Sequence, residues 1–482
     1  MDFESVIGLE IHVQIKSKSK MFCSCPSPAE DAPANTAICP VCTGQPGALP
    51  ALNGYAVFSA IKAALALKCE IRKESVFARK NYFYPDLPKA YQISQYDKPL
   101  AENGKVELPS GKFIRVKRAH LEEDAAKSLH ALGSQELDHT LVDFNRCGMP
   151  LLEIVSEPDI RTSQEAYEYL TELKKILRWA DVSECDMEKG HLRCDVNISI
   201  RPLGEKKLGR KVEIKNLNSF KAAKDAIESE IKRQKELFLK GEEIAQDTRL
   251  WNEKLQQTIS MRSKEMAHDY RYFPEPDLPP LILKDEEIEK AEKEIGELPI
   301  EKAKRYILEF SLTQKEAAAL SENKHINSYF ENILSLNKNK EVLRQAVNLI
   351  MTQLFAKINE LKIKENEIIE KSITAQNLLQ IAELSVKGEI SSAAAKKLFE
   401  ICWDNSVSPA KAVEIHGLKQ SGDIGEIEEW VKEAVSANPE AFTDFKNGNE
   451  KASGPIVGFV MKKSKGKANP KIVGEILKKI AL

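Results

Sequence analysis

No run of apolar residues in this chain approaches the roughly twenty needed to cross a bilayer. No G-x-x-x-x-G-K-[ST] phosphate loop occurs, because Gly111-Lys112 and Gly466-Lys467 both lack the upstream glycine. A dinucleotide fingerprint G-x-G-x-x-G and a nucleophile elbow G-x-S-x-G are missing too. Any nucleotide used here must therefore bind by some other architecture. There are no internal repeats and no low-complexity tracts, which excludes solenoids and disordered scaffolds. Charge of one sign is also lacking, since 71 basic and 73 acidic residues leave a net of −2. With 482 residues, 42% hydrophobic and 30% charged, the composition is that of a soluble globular protein of two to four domains. The opening Met-Asp-Phe-Glu is acidic at once, unlike a secretory or transit peptide.

Cysteine is present, and its placement is informative. Cys23 and Cys25 form one tight pair, and Cys39 and Cys42 another, thirteen residues on. Two such pairs match a closed tetrahedral site, and soft thiolates select zinc over hard cations. Four thiolates leave no open position for a substrate, so the expected zinc is structural. The other five cysteines (Cys69, Cys147, Cys185, Cys194 and Cys402) are scattered. That usage suits a reducing, cytoplasmic setting.

Directly before the first pair, the chain alternates strictly. Ile7, Leu9, Ile11, Val13 and Ile15 share one face of a strand, leaving Glu10 and His12 on the other. The pattern recurs from Leu192 to Ile200, with Arg193, Asp195, Asn197 and Ser199 outward. It recurs again where Val212 and Ile214 face in and Lys211, Glu213 and Lys215 face out. A fourth segment, Ile114 to Asp124, ends in Glu122-Glu123-Asp124. Carboxylates with one imidazole are hard-cation chemistry, suited to magnesium held together with substrate phosphates. An acidic strand face is also what a solvated surface looks like, and both readings stand on the pattern alone.

The expected fold class is α+β, with an antiparallel-sheet cradle domain over residues 1–295, a helical domain over 296–405 and a small helical tail over 406–482. Thr162 and Glu165 form a capping box opening an amphipathic helix striped by Ala166, Tyr169, Leu170, Leu173, Ile176 and Leu177. The prolines at 274, 276, 279 and 280 end the regular structure of the first part. Helical periodicity then dominates, as in Leu343, Ala346, Val347, Ile350 and Leu354. The last helix opens at Asn469-Pro470. Nine lysines face two acids from Lys446 to the end, a basic module that points to a polyanion such as nucleic acid. Two aromatic clusters, Tyr82-Phe83-Tyr84 and Tyr270-Arg271-Tyr272-Phe273, are suited either to stacking a base or to core packing.

Seven strings in the first part carry a family resemblance: VIGLEIHVQI, KNYFYPDLPKAYQISQYDKPL, HLEEDAAK, MPLLEIVSEPDIR, LRCDVNISIRP, VEIKNLNSF and HDYRYFPEPDLPPL. They resemble the GatB family of the bacterial-type aspartyl/glutamyl-tRNA amidotransferases, and EKASGPIVGFVMKKSKGKANP resembles its tail domain. The matches run in order through nearly the whole chain. Departures are small: Ala90 stands where many members have glycine, and Met266 where glutamate is usual.

The resemblance implies an ATP- and Mg2+-dependent step on misacylated tRNA. The side-chain carboxylate of tRNA-bound glutamate or aspartate is phosphorylated, and ammonia from a partner amidase, GatA, displaces the phosphate. A small third chain, GatC, completes the heterotrimer. Glu10, His12, Glu122 and Glu123 are then the implied magnesium ligands, with Asp195 and Glu213 completing the shell. Lys80 and Lys215 would neutralise phosphate, and Tyr82, Tyr84 and Arg271 would bind substrate. Lys462, Lys463, Lys465, Lys467 and Lys471 would contact tRNA phosphates. A neutral His12 ligand implies activity falling below about pH 6.5. The rival reading is a non-catalytic, zinc-containing tRNA-binding adaptor.

Overall fold

The computed structural model describes residues 2–27, 32–132, 135–261, 269–364, 367–405, 407–420, 424–464 and 468–481. It divides into two units, Met1–Leu298 and Pro299–Leu482. The first unit begins with β1 (Phe3–Gln14), α1 (Gly54–Ala66), β2 (Glu70–Ile71) and β3 (Glu74–Ser75). Then come β4 (Phe77–Asn81), β5 (Tyr91–Gln95), β6 (Ala101–Glu107) and β7 (Phe113–Glu123). A hairpin, β8 (Lys127–Leu132) with β9 (Gln135–Asp143), leads to β10 (Pro150–Ser156) and α2 (Ser163–Trp179). β11 (Leu192–Pro202), β12 (Val212–Lys215), α3 (Phe220–Leu239), β13 (Thr248–Asn252) and β14 (Gln257–Ser260) follow. The unit closes with β15 (Phe273–Pro274), β16 (Leu281–Ile282) and α4 (Asp285–Ile295).

Nine strands form one sheet in the order β14-β13-β12-β11-β1-β10-β7-β6-β2. The first strand of the chain is thus its centre, paired antiparallel with β10 and β11. Strict alternation explains why. One face of β1 carries Ile7, Leu9, Ile11 and Val13, all essentially fully buried, and the neighbouring strands add Leu152, Ile154, Cys194, Val196 and Ile198. α1 and α2 cover that apolar face with Ala60, Ile61, Ala64, Tyr169, Leu170 and Leu173. The opposite face is left to the polar alternates.

The pairing departs from purely antiparallel at one place. β12 and β13 run parallel, because α3 carries the chain back over the sheet between them. A parallel neighbour requires such a crossover, and the lone Val212/Ile214 alternation cannot announce it. The capping box at α2 is half as expected. Thr162 accepts the Glu165 amide at 3.0 Å. The Glu165 carboxylate instead takes the amide of Arg161 at 2.7 Å and the Lys112 ammonium at 2.7 Å. The proline-rich stretch is also more ordered than its composition suggests. Phe273-Pro274 pairs with Arg79 and Ala78, and Leu281-Ile282 with Ser75 and Glu74, both as edge strands that tolerate a missing donor.

The second unit is helical and holds two apolar cores. One gathers Tyr306, Phe330, Leu343, Ala346, Val347, Ile350, Leu354 and Phe399. The other gathers Ile427, Val431, Ile456, Val460, Val473 and Leu477. The 343–354 stripe is buried as expected, though the helix widens to a π-turn at Ile350–Leu354. Its last helix spans Pro470–Ala481. Among the described residues no helix is long and apolar enough to cross a membrane.

α3 is locked to the sheet by a fully buried carboxylate. Glu230 accepts from Gln234 Nε2 at 2.8 Å, Thr258 Oγ1 at 2.8 Å and Arg233 Nε at 2.9 Å, with Arg249 Nε at 3.5 Å. Removing that charge takes the carboxylate from Arg233 and leaves Gln234 Nε2 and Thr258 Oγ1 without their buried acceptor. Glu230→Ala should lower the stability of the first unit by about 3–5 kcal/mol. Urea denaturation would register this as a lower midpoint, and an unchanged midpoint would contradict it.

Candidate functional site

Five adjacent strands, β12-β11-β1-β10-β7, deliver side chains to the polar face of the sheet. Register sets the neighbours. Glu10 stands opposite Asp195, and His12 opposite both Arg193 and Glu153. Glu153 in turn stands opposite His120, two residues from Glu122 on the same face. The result is a compact cluster at the middle of the sheet. His12 Nε2 lies 3.4 Å from Glu122 and 3.5 Å from Glu153. His120 Nε2 lies 3.3 Å from Glu153 and 3.9 Å from Glu122. Ser94, from β5, donates to Glu122 at 3.2 Å. Among the described residues, Glu10, His12 and Glu153 can each offer a ligand atom within 4.8 Å of the others, as can His120, Glu122 and Glu153. Hard oxygen donors with imidazole at this spacing fit a divalent cation.

Electrostatics follows from crowding acids and imidazoles into a buried place. Burial lifts the Glu10 carboxyl above its ordinary range, and Glu153 adds to the rise. Burial opposes charge on His12, yet its hydrogen bond to Glu153 and the Glu122 charge raise it to about 9. Burial likewise works against Glu153, but His120 and the hydrogen bonds from both imidazoles hold it far below the usual carboxylate range. Without a cation, the acids around His12 thereby stabilise its proton.

The remaining expected residues fall into distinct groups. Lys215 Nζ bridges Asp195 at 2.6 Å and Glu213 at 3.1 Å, forming an ion triad beside Glu10. Burial disfavours that ammonium, but the two carboxylates keep it above the ordinary lysine range. Glu123 departs from its neighbour. Consecutive strand residues face opposite ways, and Glu123 instead pairs with the buried Lys89 and accepts the Ile93 amide at 3.0 Å. Lys80 lies with Nζ 4.9 Å from the Tyr270 ring, beside Tyr82 and Tyr84. Arg271 is exposed in a left-handed conformation (φ 44°), its carbonyl taking the Asn81 side-chain amide at 2.8 Å. Ala90 is also left-handed (φ 60°), which accounts for the family's glycine there. In the second unit Lys462 and Lys463 are exposed near the end of the helix Ser453–Lys463, and Lys463 pairs with Glu433. Lys465, Lys467 and Met266 lie outside the described residues, as does the Lys471 side chain.

Sequence reasoning missed Glu153, His120, Arg118 and Arg193 as members of the site. The signal was available: in PLLEIVS, Leu152 and Ile154 alternate with Leu151, Glu153 and Val155, and in β7 Arg118, His120 and Glu122 alternate with apolar residues.

The four cysteine sulfurs also lie within 4.8 Å of one another. A tetrahedral zinc with bonds near 2.3 Å needs sulfurs about 3.8 Å apart, so the quartet fits with small adjustment. Cys42 is poised as a thiolate. Hydrogen bonds from Cys23 and the Cys39 amide, together with the Lys20 ammonium at 3.6 Å, pull it down to about 4. Cys23 is pushed up by donating to Cys42 and by burial, and Cys25 is pushed up to about 11, chiefly by burial.

Two outcomes test these arrangements. In metal-free protein the His12 imidazole should titrate near pH 9 by NMR, and Glu153→Gln should bring it down. Its pKa is raised above the unfolded value of about 6.5, so the stability it supplies is complete below that pH and disappears as pH climbs through 9. Elemental analysis should find zinc at about one per chain, lost in Cys39→Ser with a fall in melting temperature. Full thermal stability without bound metal would argue against a structural ion.

The GatB/GatE catalytic domain family matches residues 5–289, and the GatB domain family matches residues 328–480. A protein of Elusimicrobium minutum is 50% identical over 479 residues, covering 99% of each chain, and is named as the B subunit of the aspartyl/glutamyl-tRNA(Asn/Gln) amidotransferase. Proteins of the same name from Persephonella marina and Thermotoga maritima are 50% and 46% identical, covering 99% or more of each chain. Both family domains match in order, and the relatives match over nearly their whole length, so the chain belongs to the GatB family.

Proposed function

We propose that this chain is the component of a tRNA-dependent amidotransferase that converts Glu-tRNA(Gln), Asp-tRNA(Asn) or both to the amidated forms. The observation that carries this reading is the convergence of Glu10, His12, Glu122 and Glu153 on one sheet face, flanked by Lys215 with Asp195 and Glu213. Phosphoryl transfer needs positioned charge more than a covalent nucleophile, and such a face supplies it. Glu10, His12, Glu122 and Glu153 would hold magnesium, which when bound would neutralise charge on the ATP phosphates. Glu123 is left out of this set because its carboxylate is engaged by Lys89 and the Ile93 amide.

The reaction runs in two displacements. The side-chain carboxylate of the esterified amino acid attacks the γ-phosphorus of ATP, and ADP leaves. Ammonia then attacks the acyl carbon, phosphate leaves, and loss of a proton yields the amide. Lys80 and Lys215 counter phosphate charge, and Asp195 and Glu213 fix Lys215 in place. Tyr82, Tyr84 and Arg271 bind substrate near the cluster. The ammonia would come from the partner amidase GatA, with the small GatC joining the pair. The tail lysines Lys462, Lys463, Lys465, Lys467 and Lys471 suit contact with tRNA phosphates. The cysteine quartet would hold a structural zinc.

The test uses the chain assembled with its partner proteins and misacylated tRNA. Glu10→Ala or His12→Ala should cut ATP-dependent amidation by at least a hundredfold while tRNA affinity stays near the parent value. Undiminished amidation in either variant would remove those residues from the reaction. Intact tRNA binding with no ATP turnover by the parent would favour a non-catalytic adaptor.

A further inference from the structure

Lys20 is fully buried, which is rare for a lysine unless an opposite charge accompanies it. Its Nζ lies 3.6 Å from Cys42 Sγ and 3.4 Å from the Phe144 carbonyl. Among the described residues no carboxylate pairs with it, and Glu123, near the same niche, is engaged by Lys89. The backbone around Lys20 is held on both sides. Its amide donates to the Cys25 carbonyl at 3.0 Å, and the next amide, of Met21, donates to the Gly148 carbonyl at 2.7 Å. The Lys20 carbonyl accepts from the Asn53 side chain at 3.1 Å. Gly148 closes the niche, since a Cβ there would already touch Cys42 Cβ at 3.4 Å and Lys20 Cδ at 3.5 Å. The ammonium is thus aimed at one sulfur of the cysteine quartet.

We propose that Lys20 is the charge partner of the zinc quartet, donating an N–H···S hydrogen bond to Cys42 that stabilises the loaded site. The proposal rests on the structural-zinc reading above. A buried ammonium without a counter-charge is costly. Four thiolates around a divalent ion leave two negative charges uncompensated, and burying those is costly too. Set side by side, each charge offsets the burial of the other. Cys42 is the fitting recipient. It is buried while Cys23, Cys25 and Cys39 are partly open, so solvent does least for its charge. Its sulfur already takes the Cys39 amide at 3.2 Å, and Lys20 adds a charged donor. The rival reading is that Lys20 only packs, its methylene stem filling space beside Gly148 as an apolar side chain would. The two differ in what happens when the charge is removed and the volume kept.

The experiment uses the full chain loaded with zinc, and metal content is read first. A parent protein that binds no zinc would bring down the zinc reading together with this one. In a loaded parent, Lys20→Met keeps the length of the side chain and removes both charge and donor. It should release zinc to a chromogenic chelator about tenfold or more faster than the parent. Lys18→Met, at an exposed lysine of the same segment, should release it at the parent rate. Cobalt in place of zinc reports on the sulfur itself. Loss of an N–H···S bond raises the energy of the thiolate electrons, so the sulfur-to-cobalt charge-transfer band should move to longer wavelength in Lys20→Met. Melting temperature separates charge from packing. Lys20→Met should fall further below the parent with zinc bound than after chelation, whereas a packing role would lower both equally. Lys20→Gln keeps a donor without the charge and supports the same comparisons if Lys20→Met does not fold. Its release rate should lie between those of the parent and Lys20→Met. Parent-like release and an unshifted cobalt band in a folded Lys20 variant would overturn the assignment while leaving the zinc reading intact.

Discussion

Everything at the site depends on one buried contact, the Glu153 carboxylate held between the His12 and His120 imidazoles. β10 is the strand that joins β1 to β7, and Glu153 is its one acid on the polar face. A lone carboxylate at 5% exposure would be costly, and two imidazoles at 3.3 and 3.5 Å offset that cost. The same contact sets the protonation of His12, holds Glu122 beside it, and fixes the lateral register of three strands. A one-residue slip of β10 would send Glu153 into the apolar core and bring Leu152 or Ile154 to the cluster.

Much of this was legible without coordinates, because alternation is a strong signal when one face is fully apolar. Ile7 to Val13, Cys194 to Ile198 and Val212 with Ile214 each declared a strand and the face its acids take. The cysteine spacing likewise declared its quartet. What stayed hidden was order in space. Nothing in Glu122-Glu123 says which of the two shares a face with His12, since that depends on pairing with β10. Nothing in the local sequence shows β10 lying between β1 and β7, so Glu153 and His120 passed without a role. The raised His12 titration in the absence of a cation stayed hidden for the same reason, because its acids arrive from strands remote in sequence.

The cysteine quartet and the sheet face are joined by direct packing. Gly44, just past Cys42, is left-handed, and a Cβ there would come within 2.6 Å of Lys89 Cγ. Lys89 is the partner of Glu123, the last residue of β7. Gly148 sits where a Cβ would touch Cys42, Lys20 and Glu123 at once. A metal that fixes the cysteine loop would therefore also fix the end of the strand that presents Glu122. Structural and functional ions need not touch to share a scaffold.

The central position of β1 has a consequence for how the protein is made. This strand is synthesised well before its partners β10 and β11, which follow it by roughly 140 and 180 residues. Until they emerge, a strand with one wholly aliphatic face and two unpaired edges stands ready to bind any other extended chain. The order of synthesis thus makes the most functional strand the most exposed to misassembly. The charged alternates Glu10 and His12 then serve the nascent chain before they serve the reaction, since they keep the other face of that strand soluble while it waits.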